Sequence, residues 1–260
     1  MKPILIESIK NNLRTLRLKD MANDLDAILE IAQREKQGHL EFLEALVNKQ
    51  VEGLQARSLE RRIKQGNFPR NMNFENFDWN FQPGLNVENL KNLKTLSFIG
   101  NHNPLLIFGK NGCGKTHIAT SLGIEACHAG FRVKFFKLQE LLLHLYATLV
   151  DETTAEMIKK LTCLDLLIID HIGFIRKKEE YPSLLLDLIC ACQDKVSIII
   201  TSSISLEEWG KALGNSTIIN DIVDRIFHQA NIINIRPAKS YRTQGPHAPQ
   251  IASTEVEKSS

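Results

Sequence analysis

The stretch Gly109-Lys-Asn-Gly-Cys-Gly-Lys115-Thr116 constrains this chain more than any other. It fits G-x-x-x-x-G-K-[ST], a loop that cradles nucleotide phosphates between a buried strand and a helix. Gly109, Gly112 and Gly114 carry no Cβ, so the backbone turns tightly and aims N–H groups at phosphate oxygens; Lys110, Asn111 and Cys113 complete the cradle. Lys115 puts a cation on the β- and γ-phosphates, and Thr116 offers its hydroxyl to Mg²⁺. The helix that follows adds its positive end. The flanks agree with this order. Pro104-Leu-Leu-Ile-Phe108 is a short apolar run that reads as a buried strand, and Ile118, Ala119, Leu122, Ile124 and Ala126 recur as in a helix. A glycine-rich loop without a ligand is the alternative.

Magnesium prefers an octahedral shell of oxygens, so a carboxylate is expected beside the loop. Leu164-Asp-Leu-Leu-Ile-Ile-Asp170 is an apolar strand ending in an acid, with room before it for a helix, a strand and another helix. Asp170 is therefore the candidate second metal anchor, against the plainer role of a helix cap or turn former. His171 follows it. A neutral imidazole is able to accept a proton from water, although a strand-end residue without chemical duty fits the same position. Cys113 sits between phosphate-loop glycines, so its alkylation is expected to block nucleotide binding, with ATP protecting.

Composition sets outer bounds. At 260 residues with 43% hydrophobic and 24% charged residues, the chain has the make-up of a soluble, cytoplasmic globular protein with one large domain and a small appendage. It has no apolar run long enough to span a membrane and no secretory signal. Its five cysteines show neither zinc nor disulfide spacing. A net charge of +2 does not by itself argue for nucleic acid.

Residues 1–66 carry helical periodicity at Leu13, Leu16, Met21, Leu25, Ile28 and Leu29, then, after Gly38, at Leu40, Phe42, Leu43, Leu46, Val47 and Val51. This predicts a small helical domain, either for binding a partner or as a packing extension. It ends in a basic cluster, Arg57, Arg61, Arg62, Lys64 and Arg70, which suits DNA phosphates or an ordinary solvated face. Residues 67–100 read as a linker and entry segment, with Phe74, Phe77 and Trp79 as packing anchors. Residues 101–242 alternate strand and helix patterns. That alternation predicts an α/β domain with a parallel sheet flanked by helices, its ligand at the carboxyl ends of the strands, where Gly109, Asp170 and Thr201 fall. The tail, residues 243–260, is expected to be disordered.

Taken in order, Phe108-Gly-Lys-Asn-Gly-Cys-Gly-Lys-Thr-His-Ile-Ala119, Asp165-Leu-Leu-Ile-Ile-Asp170, Ile199-Ile-Thr-Ser-Ser203, Glu208-Trp-Gly210 and Asp224-Arg225-Ile-Phe-His228 resemble the IstB-type transposition helper ATPases, which are encoded beside the transposase in bacterial insertion sequences. The resemblance extends over residues 8–242 and includes the opening helix around Leu13–Ala22. It implies an AAA+ phosphate-loop NTPase module behind a helical N-terminal domain. It further implies ATP and Mg²⁺ as cofactors, a homo-oligomer or filament on double-stranded DNA in the ATP state, and recruitment or stimulation of a cognate transposase. Arg225 matches the family arginine that reaches a neighbouring subunit's ATP, although a salt bridge to Asp221 or Asp224 in its own helix is open to it. Arg242 lies near a late basic residue of the family that contacts nucleotide.

Two departures from the pattern bear on catalysis. His171 stands where the family carries an acid that polarises water, and Ser203 stands where an amide orients water or the γ-phosphate. Lys110 and Asn111 also replace commoner loop residues. Binding is thus expected to be intact and hydrolysis weak. A DnaC-like helicase loader shares fold and ATP site and is the alternative of the same class. A non-catalytic relic scaffold is the alternative of another.

Overall fold

The computed structural model describes residues 2–70, 72–79, 81, 82, 85, 87–235 and 239–241. Arg242 and the tail predicted to be disordered lie outside them. The chain divides into two compact units, Met1–Arg61 and Arg62–Ser260.

The first unit consists of α1 (Lys2–Thr15), α2 (Lys19–Glu35) and the greater part of α3 (His39–Gly66). Met21, Leu25 and Ile28 recur on one face of α2 and meet Leu46 of α3 in a small core, with Leu13, Leu18 and Phe42 packed around it. Arg17 and Lys36 adopt positive φ where α1 and α2 end, and Gly38 opens α3 by donating its N–H to Glu41 (2.8 Å). The start of α2 is tied to α3 by polar contacts. Gln50 accepts the N–H groups of Asp20 (3.1 Å) and Met21 (3.4 Å), while Arg57 grips both carboxylate oxygens of Asp20 at 2.7 and 2.6 Å. Those guanidinium bonds hold the Asp20 carboxyl below its ordinary range.

The second unit is built on a five-stranded parallel sheet: β1 (Leu105–Gly109), β2 (Val133–Lys137), β3 (Leu166–Ile172), β4 (Ser197–Ser202) and β5 (Asn231–Ile235), in the order β2-β3-β4-β1-β5. Leu166 to Ile169 of β3 are fully buried, as strands covered on both faces must be. The helices α6 (Lys115–His128), α7 (Leu138–Ala147), α8 (Thr154–Leu161), α9 (Tyr181–Cys192), α10 (Leu206–Leu213) and α11 (Ser216–Phe227) complete the unit. One core runs from Leu138, Leu141 and Leu145 through Leu167 and Leu188 to Trp209 and Ile222. Before β1, the entry segment is not bare linker. It forms a 3₁₀ turn at Phe74–Asn76 and two short helices, α4 (Val87–Leu93) and α5 (Ser97–Gly100), which bury Leu90, Phe98 and Ile99. Phe74, Phe77 and Trp79 cluster, with ring centroids 5.0 to 5.7 Å apart.

The strand order matters for the site. β4 is inserted between β1 and β3, so the loop after β1 and the carboxyl end of β3 flank a third strand that comes later in sequence. The strand expected to end at Asp170 continues two residues further, through a bulge. Ile169 pairs with Ile200 and Ile172 with Ser202, so Asp170 and His171 face the single residue Thr201. His171 takes the positive φ (69°) that this extra residue requires.

Candidate nucleotide site

The phosphate loop connects β1 to α6. Gly112 (φ 80°) and Gly114 (φ 99°) occupy backbone conformations that L side chains rarely adopt. Gly114 is the N-cap of α6, and no side chain caps that end, so the helix presents its positive pole to the loop. Lys115 is 6% exposed. Its ammonium donates to the carbonyls of Gly109 (2.7 Å) and Lys110 (3.0 Å), which holds the charge inside the loop's curve.

Thr116, on the first turn of α6, donates to the Asp170 carboxylate, 2.9 and 3.1 Å from its two oxygens. Asp170 is 5% exposed and is held from the other side by the Thr201 hydroxyl, at 2.6 Å. Thr201 in turn accepts the backbone N–H of His171 (2.8 Å) and is fully buried. A single chain of hydrogen bonds therefore runs from α6 through β3 to β4 and ends at the bulge. The sequence places Thr201 at the carboxyl end of a strand but shows no role for it. The donor set fits magnesium, because a hydroxyl and a carboxylate in contact are hard oxygen ligands. Among the described residues no group of three or more His, Cys, Asp or Glu could cage a metal, so a cation here would need further oxygen ligands from phosphate and water.

His171 is exposed, and Ser203 is half-buried with its N–H donated to the carbonyl of Ile172 (3.2 Å). Both lie against Gly173. A Cβ at that glycine would sit 3.3 Å from the Ser203 hydroxyl and 3.7 Å from His171 Nε2, so the two predicted catalytic residues share one small space beside Asp170.

Cys113 departs from expectation. Its thiol is 1% exposed and lies beneath Gly109, where a Cβ would come within 2.6 Å of Sγ. Burial raises its pKa despite the opposing charge of Lys115. Alkylation therefore does not report on the loop. With excess maleimide at neutral pH, the exposed Cys163 and Cys190 are expected to react within minutes while Cys113 stays unmodified, with or without ATP. Peptide mapping that finds Cys113 labelled as fast as Cys190 would contradict this burial.

Two further segments border the loop. Asn73 accepts a hydrogen bond from His117 Nε2 through its carbonyl (2.8 Å), and the Phe77 ring stands edge-on to His117 at 5.1 Å. Residues 239–241 lie against Gly112, whose carbonyl accepts the Tyr241 N–H at 2.9 Å.

The model of the family described as IstB-like ATP binding protein matches residues 11–248. The chain belongs to this family. A relative named for insertion sequence IS21 of Pseudomonas aeruginosa is 31% identical over 230 residues, spanning 88% of this chain and 86% of the relative. Another, named for IS232 of Bacillus thuringiensis subsp. berliner, is 30% identical over 236 residues, spanning 91% and 94%. The crystal structure of the DnaC helicase loader superposes with a TM-score of 0.51 at 21% identity, covering 64% of this chain and 97% of that one. At that identity the likeness establishes the fold, an α/β phosphate-loop module of the AAA+ type, and nothing further.

Arg225 of this IstB-family chain is exposed on the last turn of α11 and donates to Gln193 Oε1 (3.3 Å). Among the described residues it forms no ion pair, so the same-helix bridge to Asp221 or Asp224 is not made. It lines a cleft of about 400 Å³ with Asp221, Asp224 and His228, next to Pro104 and Val196. Those last two precede β1 and β4, so the cleft is at the amino edge of the sheet. Arg225 is thus at the opposite end of the strands from the phosphate loop, which follows the carboxyl end of β1.

The basic cluster is partly committed to structure. Arg57 is held by Asp20, and Arg62 donates to the carbonyl of Cys127 (3.4 Å). Arg61, Lys64 and Arg70 are exposed and, among the described residues, without ion pairs. Among those residues no helix is long and apolar enough to cross a membrane.

Proposed function

We propose that the chain binds Mg·ATP at the loop between β1 and α6. In that state it assembles on double-stranded DNA as the cytoplasmic helper of an insertion-sequence transposase, and it turns ATP over slowly. The observation that carries the nucleotide part is the chain Thr116–Asp170–Thr201, set beside the buried Lys115. Its polar groups are already oriented before ligand arrives, so little reorganisation opposes binding. The insertion-sequence relatives, aligned over nearly the whole chain, support the transposition part.

In this mechanism Lys115 swings from the Gly109 and Lys110 carbonyls to phosphate oxygens, and the glycine-loop amides and the α6 terminus receive the rest of the negative charge. Thr116 and Asp170 would hold the magnesium, which would supply positive charge against the triphosphate. Thr201 keeps the Asp170 carboxylate aimed at Thr116. Arg225, too far from its own loop, serves the nucleotide of an adjacent subunit, which makes ATP a link between protomers. Arg61, Lys64 and Arg70 supply phosphate contacts to DNA.

Slow turnover follows from His171 and Ser203. Neither adds negative charge beside the metal, and the bulge leaves the imidazole in solvent, where it positions water poorly. His171→Glu is expected to raise steady-state ATP hydrolysis about tenfold or more, measured by phosphate release with and without DNA. Unchanged turnover would place the defect elsewhere.

The assembly part is tested by duplex-DNA binding with Mg·ATP, Mg·ADP and no nucleotide at two salt concentrations. ATP-dependent binding that weakens steeply with salt is expected. Equal binding in all three states would overturn it. A helicase-loader role shares the fold; capture of a replicative helicase instead of the transposase would favour it.

A further inference from the structure

The phosphate loop is gripped from outside by two segments that lie at opposite ends of its unit. Gln82 is 3% exposed, yet it spends both ends of its amide on one residue: Nε2 donates to the Lys239 carbonyl at 2.6 Å, and Oε1 accepts the Lys239 N–H at 3.1 Å. Beside it, the Phe81 ring stands edge-on to Tyr241 with centroids 4.8 Å apart. Held this way, residues 239–241 run over the loop. Ser240 packs so closely on Gly112 that a Cβ there would meet its hydroxyl at 2.5 Å, and the Tyr241 N–H is bonded to the Gly112 carbonyl.

That last bond fixes more than a carbonyl. The Gly112 C=O and the Cys113 N–H belong to one planar trans peptide and point in opposite directions. With the oxygen tied outward to Tyr241, the Cys113 N–H is turned into the loop, where its contact in this structure is a long one, 3.3 Å to the Lys110 carbonyl. A weakly bonded amide facing the inside of the loop is available to a phosphate oxygen. Gly112, at φ 80°, is the residue about which this peptide would otherwise rotate.

We propose that Gln82 is a positioning residue for the nucleotide. By clamping Lys239 it presses Tyr241 onto Gly112 and so presets the Cys113 amide for phosphate. The proposal rests on nucleotide binding at this loop and adds to it a latch between the entry segment and residues 239–241.

The test uses the full chain with Gln82→Met, similar in length but without the amide, and Tyr241→Pro, which removes the N–H at an exposed position outside the core. Mg·ATP affinity is measured by calorimetry, and amide exchange is followed across residues 110–114. Each single variant is expected to weaken ATP about tenfold and to speed exchange in the loop. The double variant is expected to be no worse than either, because both break the same latch. Wild-type affinity and exchange in Tyr241→Pro, or losses that multiply in the double variant, would overturn the latch. A wild-type chain that binds no ATP would overturn the nucleotide reading instead, and the exchange rates would still decide whether the latch exists.

Discussion

Lys115→Ala is expected to weaken Mg·ATP binding at least about a hundredfold, while the unliganded protein melts at close to the wild-type temperature. The loss follows from the charge. A charge-assisted hydrogen bond contributes about 1.5–3 kcal/mol, so two of them, to the β- and γ-phosphates, contribute at least about 3 kcal/mol, and each ~1.4 kcal/mol is tenfold in affinity. The near-constant melting temperature follows from burial. Lys115 is 6% exposed, so the substitution removes the cost of burying a charge, and the two carbonyls it frees lie on half-buried Gly109 and exposed Lys110, within reach of water. Displacement of a fluorescent ATP analogue measures the first effect and thermal unfolding the second. Wild-type affinity in the variant would remove the loop from the binding account.

Thr201→Val is expected to damage both stability and magnesium-dependent binding, although the residue touches no nucleotide. Valine matches threonine in shape but can neither donate to Asp170 nor accept from His171. A fully buried carboxylate partner is lost, and the His171 N–H at the bulge is left unpaired. Such a change costs about 1–3 kcal/mol, which lowers the melting temperature of a unit this size by about 5 °C. With one side of Asp170 released, the carboxylate turns away from Thr116, so the benefit of magnesium to ATP binding is expected to shrink. Thr201→Ser restores the hydroxyl and is expected to recover both effects. Recovery of stability without recovery of the magnesium effect would show that Thr201 only packs the strand.

These two residues mark what a sequence can and cannot reveal here. Lys115 was legible because its function follows from a local loop, and the neighbouring strand and helix patterns fix that loop. The helix α9 is legible for the same reason: Leu184, Leu185, Leu188 and Ile189 recur at helical spacing over a run long enough to show its period. Asp170 was legible as the acid behind an apolar strand, but the bulge after it was not, since one extra residue with positive φ leaves no mark in the pattern. Thr201 acquires its role only once β4 slides between β1 and β3, a non-sequential order that periodicity does not encode. Gln82 and Lys239 are 157 positions apart, and nothing local in either segment announces the pairing. The entry segment looked structureless because α4 and α5 have seven and four residues, too short to display a helical period. β5 leaves little trace in the sequence because Asn231 and Asn234 are poor strand formers, and its alternating burial shows only when it is placed at the sheet edge.

The central claim is that these oriented polar groups bind a magnesium-bound triphosphate. Calorimetric titration of the folded full-length chain with ATP, in magnesium and then in excess chelator, tests it most directly. The expected result is saturable binding of one ATP per chain that weakens strongly when magnesium is withdrawn. No heat in magnesium, from protein whose melting curve shows both units folded, would contradict the account.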